Sequence, residues 1–407
     1  MTTSSDAKER VLHCVRAWLP LTERWLYVQV HEMRHWVRSA VACQSTECLG
    51  EFGVPDLHSL SAHPRVVQRG YALARRCGLP WLYPATVALA WRPMIVHSHF
   101  GNVAWENIWT ARVAGAAHVA TFYGYDVQRL PAEDRRWLGR YRRLFDLADC
   151  VLCEGPHMRD CLLKLGCGPD KVKVHHLGVQ TERLPFHPRR WHPGQTLRVL
   201  IAATFVEKKG IPYGVAALGN LREEVDLELT IIGDARNDAL SRQEKGRILE
   251  ALAASGLTAR TRLLGYQPYE VLMREASDHH VFLAPSVTAK NGDTEGGAPV
   301  TIAEMAATGM MILSTFHCDI PHVIPDGECG LLAPERDVPA LVCQFRRLLA
   351  RPETWPAMAE AARRRIETEF NAATQGSKLA QIYRGLVGGD TEPVAFAARR
   401  DASKGGP

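Results

Sequence analysis

Two carboxylates, two lysines and a run of small residues carry the chemistry that this chain advertises. Glu295 and Glu304 bracket the segment EGGAPVTIAE, in which Gly296, Gly297, Ala298 and Pro299 lead into an apolar pattern at Val300, Ile302, Ala303, Met305 and Ala306. That pattern predicts a helix that stops at Gly309, followed by a strand over 310–314. A loop without bulky side chains lets backbone N–H groups approach a ligand, and the positive end of the following helix points into the same loop. This describes an anion pocket. Ionised carboxylates only accept hydrogen bonds, so beside a phosphate they suit the hydroxyls of a sugar or a ribose. Lys208 and Lys209, next to Gly210 in a loop between an apolar strand and a helix, are placed to neutralise a diphosphate. The combination suggests a nucleotide-sugar site. In the plainer alternative Glu304 is a solvated helix residue, the glycines merely turn the chain, and the lysines are an ordinary exposed pair.

A second set of polar residues falls at predicted strand ends in the first half of the chain. Thr22 and Glu23 follow a first strand, His97 and His99 lie in IVHSHFGN, and Tyr123 and Asp126 lie in TFYGYDV. Open α/β sheets bind ligands at the carboxyl ends of their strands, so these residues are expected to converge on one rim. Each alone is more often a packing or hydrogen-bonding residue than a catalytic one, and Thr22 also reads as an N-cap. Cys150 and Cys153 form a C-x-x-C inside the apolar run ADCVLCEG. With no second pair at metal spacing, packing in a buried strand is favoured over zinc or redox chemistry.

These residues need two scaffolds. The chain has 407 residues, 46% of them hydrophobic, which is more than one compact unit usually holds. Strands alternate with helices in both halves, the pattern of parallel doubly wound sheets. The expected division is a first Rossmann-like domain over 1–180, a proline-rich linker over 181–196, and a second Rossmann-like domain over 197–370. A helix over 371–387 is expected to pack back toward the first domain, and the polar tail 388–407 to be disordered.

The formal net charge of +5 is modest, and no zinc-finger or RNP signature accompanies it, which argues against nucleic acid as a partner. Eleven cysteines without an N-terminal apolar leader point to reduced thiols in the cytoplasm. No apolar run reaches the roughly 20 residues that span a bilayer. The stretch from Arg129 to Asp149 carries Arg135, Arg136, Arg140, Arg142 and Arg143 with Trp137, Leu138, Tyr141, Leu144 and Phe145 on helical spacing. It reads either as a helix resting on anionic headgroups at the inner face of the membrane, or as a core-facing helix with a solvated basic face.

EGGAPVTIAEMAATG followed by STFHCDIPHVIPDGECGLL resembles the nucleotide-sugar signature of retaining family-four glycosyltransferases of GT-B fold. LPLTERWLYVQV, IVHSHFG, TFYGYDV, KVHHLGV and FVEKKG are similar to a bacterial exopolysaccharide group that includes colanic-acid-type enzymes. The resemblance covers roughly residues 10–387. It implies that Glu295 faces the donor sugar's hydroxyls and Glu304 the ribose. Lys209, with Lys208, would hold the diphosphate, and Gly296, Gly297, Ala298, Pro299 and Val300 would line the donor pocket. The acceptor would sit near Glu23, His99, Tyr123 and Asp126. No metal or other cofactor is implied for the transfer. The resemblance implies a nucleoside-diphosphate sugar as donor and a saccharide or lipid-linked saccharide as acceptor.

Three positions depart from the pattern. Glu295 and Glu304 enclose eight residues, one more than the usual signature. Thr204 stands where an arginine usually shares the diphosphate, and Tyr123 where many relatives carry histidine. A tyrosine is a poor general base at neutral pH, which fits a mechanism in which the leaving phosphate takes the acceptor's proton. Two other readings use the same fold: a non-hydrolysing nucleotide-sugar epimerase, and a degenerate binding protein suggested only by Thr204 and Tyr123.

Overall fold

The computed structural model describes residues 8–388. Residues 9–174 build a seven-stranded sheet and residues 197–333 a six-stranded one, every neighbouring pair parallel. The first domain contains β1 (Glu9–Cys14), β2 (Ala17–Trp18), β3 (Val37–Cys43), β4 (Ser45–Thr46), β5 (Asp56–Ser59), β6 (Ile95–His99), β7 (Ala117–Phe122), β8 (Cys150–Cys153) and β9 (Val172–Val174). The second contains β10 (Leu197–Ala202), β11 (Leu227–Ile232), β12 (Thr261–Gly265), β13 (Val281–Ala284), β14 (Met311–Thr315) and β15 (Leu331–Ala333). Runs such as LRVLIA and MILST are apolar without alternation because helices cover both faces of a parallel sheet.

The sheet orders are β5-β3-β1-β6-β7-β8-β9 and β12-β11-β10-β13-β14-β15, with β2 and β4 forming a separate small pair. In each sheet the winding reverses beside the first strand, between β1 and β6 and between β10 and β13. Helices on either side of such a reversal diverge and leave a crevice at the carboxyl ends of the two strands. The loops after β1, β6, β10 and β13 therefore face one another across the space between the domains.

Cys150 and Cys153 lie in β8 and are buried, free thiols. The basic segment forms two helices, Arg129–Glu133 and Arg136–Leu147. Trp137, Tyr141, Leu144 and Phe145 pack into the first domain's core, while Arg135, Arg136, Arg142 and Arg143 are exposed. The apolar face is thus already used, which leaves only charge for any headgroup contact. No described helix is long and apolar enough to cross a membrane.

Residues 181–196 are less free than a linker rich in proline suggests. Arg189 is buried, its guanidinium donating to the carbonyls of Ala276 and His279 at 2.8 and 2.9 Å, and Trp191 enters the second domain's core. The chain passes between the domains at two adjacent places, where Val179 N–H donates to Phe370 O and Ala372 N–H to Val179 O. After the second passage the helix Ala372–Val387 packs on the first domain. Leu379, Ala380 and Tyr383 join Val11, Ile95, Val119 and Leu152 in one buried cluster. The tail beyond Gly388 lies outside the described residues.

Leu379→Ala should therefore destabilise the first domain by about 2–5 kcal/mol, although the residue stands more than 200 positions away in sequence from that domain's last strand. Urea unfolding monitored by circular dichroism measures the loss.

Candidate active site

Lys209 closes the 3-10 turn Glu207–Lys209 after β10, and Gly210 ends that turn at φ +61. A Cβ at Gly210 would stand 1.9 Å from Pro285 O in the loop after β13, so the two loops can meet only if residue 210 is glycine. Their meeting brings Lys209 Nζ to 2.8 Å from Glu295 Oε2, and Ser286 Oγ donates to Glu295 Oε1 at 2.9 Å. Lys208 Nζ donates to Thr294 O at 2.8 Å and to Asp293 Oδ1 at 3.3 Å. The Glu295 backbone N–H donates to His317 Nε2, so His317 carries its proton on Nδ1, 2.6 Å from Glu335 Oε1. Burial works against ionisation of Glu295, yet the charges of Lys209 and Lys208 outweigh it and hold the carboxyl down at about 2. Residues 295–299 form a loop, and the helix Val300–Ala307 begins directly after it.

Glu304 is not the solvated helix residue that its spacing also allowed. Its side chain is 10% exposed; it accepts from Tyr269 Oη at 3.0 Å and lies 3.5 Å from Arg24 Nη1. Burial pushes its carboxyl up, opposed by Arg24 and Tyr269. Arg24 comes from the other domain, stacks 3.8 Å over the Tyr269 ring, and donates through Nη2 to Gln180 Oε1 at 3.1 Å. No side chain caps the helix Val300–Ala307, and Pro299, Val300 and Thr301 at its start line the cleft.

The cleft between the domains encloses about 1210 Å³, lined by Thr204, Lys208, Lys209, Glu295, Ala298, Pro299, Val300 and Glu304 on one side and by Glu23, Arg24, Tyr123 and Glu154 on the other. Burial pushes Glu23 up to about 7, against the pull of Arg236. Glu154 faces the cleft with its carboxyl raised well above the ordinary value, by burial first and then by Asp319, Asp126 and Glu295, against the pull of Lys208.

Four expected site residues do not line this cavity. Gly296 and Gly297 face the other domain instead. A Cβ at Gly296 would stand 2.2 Å from Gly124 Cα, and one at Gly297 would stand 2.1 Å from Glu154 Oε2. Gly296 lets two protein backbones meet, and Gly297 leaves room for the Glu154 side chain. His99 is fully buried; its Nδ1 meets Tyr123 Oη at 2.7 Å and its Nε2 meets His13 Nδ1 at 3.0 Å. Asp126 is buried as well, accepting from Gly101 N–H at 2.6 Å and Tyr123 N–H at 3.0 Å. Both support Tyr123 from behind. The convergence expected on one rim is real for Glu23 and Tyr123, whereas His97 lies deeper, between Thr121 Oγ1 and Tyr383 Oη.

Arg24, Glu154, Ser286 and Tyr269 went unnoticed in the sequence. Glu154 directly follows β8, so the strand-end rule that singled out Glu23 applied to it equally. Arg24 and Tyr269 had no such signal, because only the meeting of the domains brings them together.

Two parallel-sheet domains facing each other across a basic, carboxylate-lined cleft are the GT-B architecture, and the comparisons place the chain among its glycosyltransferases. The model of the group 1 glycosyl transferases matches residues 196–351, and that of glycosyltransferase family 4 matches residues 24–183. The amylovoran biosynthesis glycosyltransferase AmsK of Erwinia amylovora is 31% identical over 315 residues, 75% of this chain and 74% of that protein. WcaL of Escherichia coli K12, which carries colanic acid biosynthesis in its name, is 28% identical over 74% of this chain and 72% of its own. The chain belongs to this glycosyltransferase family. Among solved structures, Anabaena Alr3699/HepE in complex with UDP and glucose superposes with a TM-score of 0.73 over 93% of this chain and 100% of that one, at 13% identity. A glycosyltransferase from Rickettsia africae gives 0.71 over 93% and 99%, at 16% identity.

The pH dependence of stability follows from Glu295. Its folded value of about 2 lies below the ordinary 4.5, so between these pH values the unfolded chain binds more protons and stability rises with pH. The contribution, on the order of 3 kcal/mol, is complete above about pH 4.5 and lost as pH falls toward 2. Denaturant midpoints measured across that window should fall less steeply in Glu295→Gln than in the wild type.

Proposed function

We propose that this glycosyltransferase moves a sugar from a nucleoside-diphosphate sugar to a growing bacterial exopolysaccharide carried on a lipid, with retention at the anomeric carbon. The observation that carries this reading is the Lys209–Glu295 pair at 2.8 Å, on the same cleft wall as Glu304 and an uncapped helix N-terminus. The names of AmsK and WcaL support the polymer class. The UDP and glucose in the HepE complex support the donor class.

Under this reading Glu304 takes the ribose hydroxyls and Glu295 those of the transferred sugar, at the expense of contacts that Arg24 and Ser286 now make. Lys209, Lys208 and the N–H groups at the start of the helix Val300–Ala307 stabilise the charge that gathers on the leaving diphosphate. Thr204 adds a neutral hydroxyl where the family's arginine would add charge. No metal is needed for this role, because the cations and dipoles are already aimed. Ala298, Pro299 and Val300 shape the donor wall. The acceptor enters from the side of Glu23 and Tyr123.

Tyr123 is a poor candidate for the base. Burial raises its hydroxyl well above the ordinary tyrosine range, with Glu154 adding to the effect. The leaving phosphate accepts the acceptor's proton instead, and Tyr123 orients the acceptor through a hydrogen bond. The reaction takes place on the cytoplasmic side, where Arg135, Arg136, Arg142 and Arg143 meet anionic headgroups by charge alone.

The test is a thermal-shift screen of the purified chain with nucleoside diphosphates and their sugars, followed by product analysis with a lipid-linked oligosaccharide. One nucleotide series should raise the melting temperature, and the shift should vanish in Glu304→Ala and Lys209→Ala. Glu295→Gln should lower kcat by about 10²–10³-fold while leaving nucleoside-diphosphate binding in place. An interconverted donor without an elongated acceptor would identify an epimerase, and an anomeric coupling constant in the product of inverted sense would overturn retention. Turnover abolished in Tyr123→Phe with donor binding intact would overturn the phosphate-as-base account.

A further inference from the structure

His176, His322 and Glu369 come from three separate parts of the chain and each offers a ligand atom within 4.8 Å of the other two. His176 follows β9 in the first domain. His322 lies on the short helix Ile320–Val323 of the second, and Glu369 ends the helix Trp355–Glu369 just before the chain returns to the first domain. All three are half-buried.

The protonation of His176 is settled by its partner. Its Nδ1 stands 2.6 Å from Glu154 O, and a carbonyl oxygen only accepts, so the proton is on Nδ1 and the Nε2 lone pair is free. This is the arrangement in which metal-bound histidines are held, one ring nitrogen fixed on a carbonyl and the other turned to the ion. That free nitrogen points at His322 Nε2, 3.4 Å away. At 3.4 Å the two nitrogens stand near the outer limit for a hydrogen bond. Two nitrogens bound to one tetrahedral zinc ion at about 2.0–2.1 Å each stand roughly 3.3 Å apart. Phe370 supports both rings, with centroids 4.7 Å from His176 and 6.1 Å from His322. Arg365 holds Glu369 Oε1 at 3.3 Å and the His322 carbonyl through Nε at 3.1 Å. One oxygen of the Glu369 carboxylate thus stays available for an ion.

We propose that His176, His322 and Glu369 form a binding site for one zinc ion, or a divalent ion of similar preference, that joins the two domains at their hinge. Both passages of the chain between the domains, at Val179 and at Phe370–Ala372, lie within a few residues of these ligands. An ion here fixes the second domain to the loop whose Glu154 side chain lines the cleft, and so restrains rotation of one domain on the other. The fourth position is open to water.

The test uses the tag-free full chain, stripped with a chelator and titrated with zinc chloride by calorimetry, and with cobalt(II) by visible absorption. The wild type should take up one equivalent of zinc and show the d–d bands of tetrahedral cobalt. Loss of a supporting partner alone weakens metal sites by about 10–100-fold, so removing a ligand in His322→Gln or His176→Gln should weaken binding by at least about 100-fold. Far-UV circular dichroism with a cooperative melt confirms that each variant is folded. Failure of the wild type to bind zinc, or equal uptake in folded His322→Gln and His176→Gln, overturns the proposal.

Discussion

A carboxylate that is 5% exposed has to be partnered, and Glu295 has its partner in Lys209, 86 residues earlier in the chain. Everything on the donor side of the cleft depends on that meeting. It requires β10 and β13 to be neighbours, so that the loops leaving their carboxyl ends share one crevice. It requires Gly210, because the Pro285 carbonyl occupies the space where a Cβ would go. It requires a second cation, Lys208, tied to the same loop through Thr294 O. The outcome is an ionised acceptor set beside fixed positive charge before any ligand arrives. In a partly dry cleft, charge already in place does not have to be reorganised during the reaction.

The two domains meet through backbone and charge more than through large side chains. Gly124 and Gly296 stand back to back, both at positive φ, with no room for a methyl group between them. Beside them Asp319 of the second domain accepts from His157 N–H at 2.7 Å and Met158 N–H at 3.3 Å, and so caps the helix Pro156–Lys164 of the first. Gly155 is at that helix's start, and a Cβ there would strike the Asp319 carboxylate. Arg24 adds a bond of another kind, reaching Glu304, Tyr269 and Gln180 at once. That contact joins a cation of the first domain to a buried carboxylate and an aromatic ring of the second.

The sequence showed the fold class because parallel strands covered on both faces read as unbroken apolar runs, and it showed Glu295, Glu304 and the lysines because their spacing is local. What it hid was set by contacts between distant segments. Gly296 and Gly297 look like ligand-facing glycines until Gly124 and Glu154 are seen opposite them. His99 ends β6, where the pleat turns it inward to His13, and Asp126 lies in the turn after β7, which folds it back onto the Gly101 and Tyr123 amides. Arg189 and Trp191 read as linker residues, since nothing local says that carbonyls 90 residues away will hold the first. The strands β3 and β5 extend the first sheet past β1 without contributing to the cleft, and so carried no chemical signature to find.

The helix Ala372–Val387 has a consequence for the order in which this protein acquires its structure. Its Tyr383 hydroxyl stands 2.6 Å from His97 Nδ1, and Leu379 fills the core between Val11, Ile95 and Val119. The first half of the chain emerges from the ribosome long before these residues are made. Until then its sheet exposes an apolar face and a buried histidine lacks its partner. Vectorial folding, which usually lets an N-terminal domain finish first, cannot finish this one. The helix Ala372–Val387 acts as a clasp that closes the first domain only after the second has been synthesised.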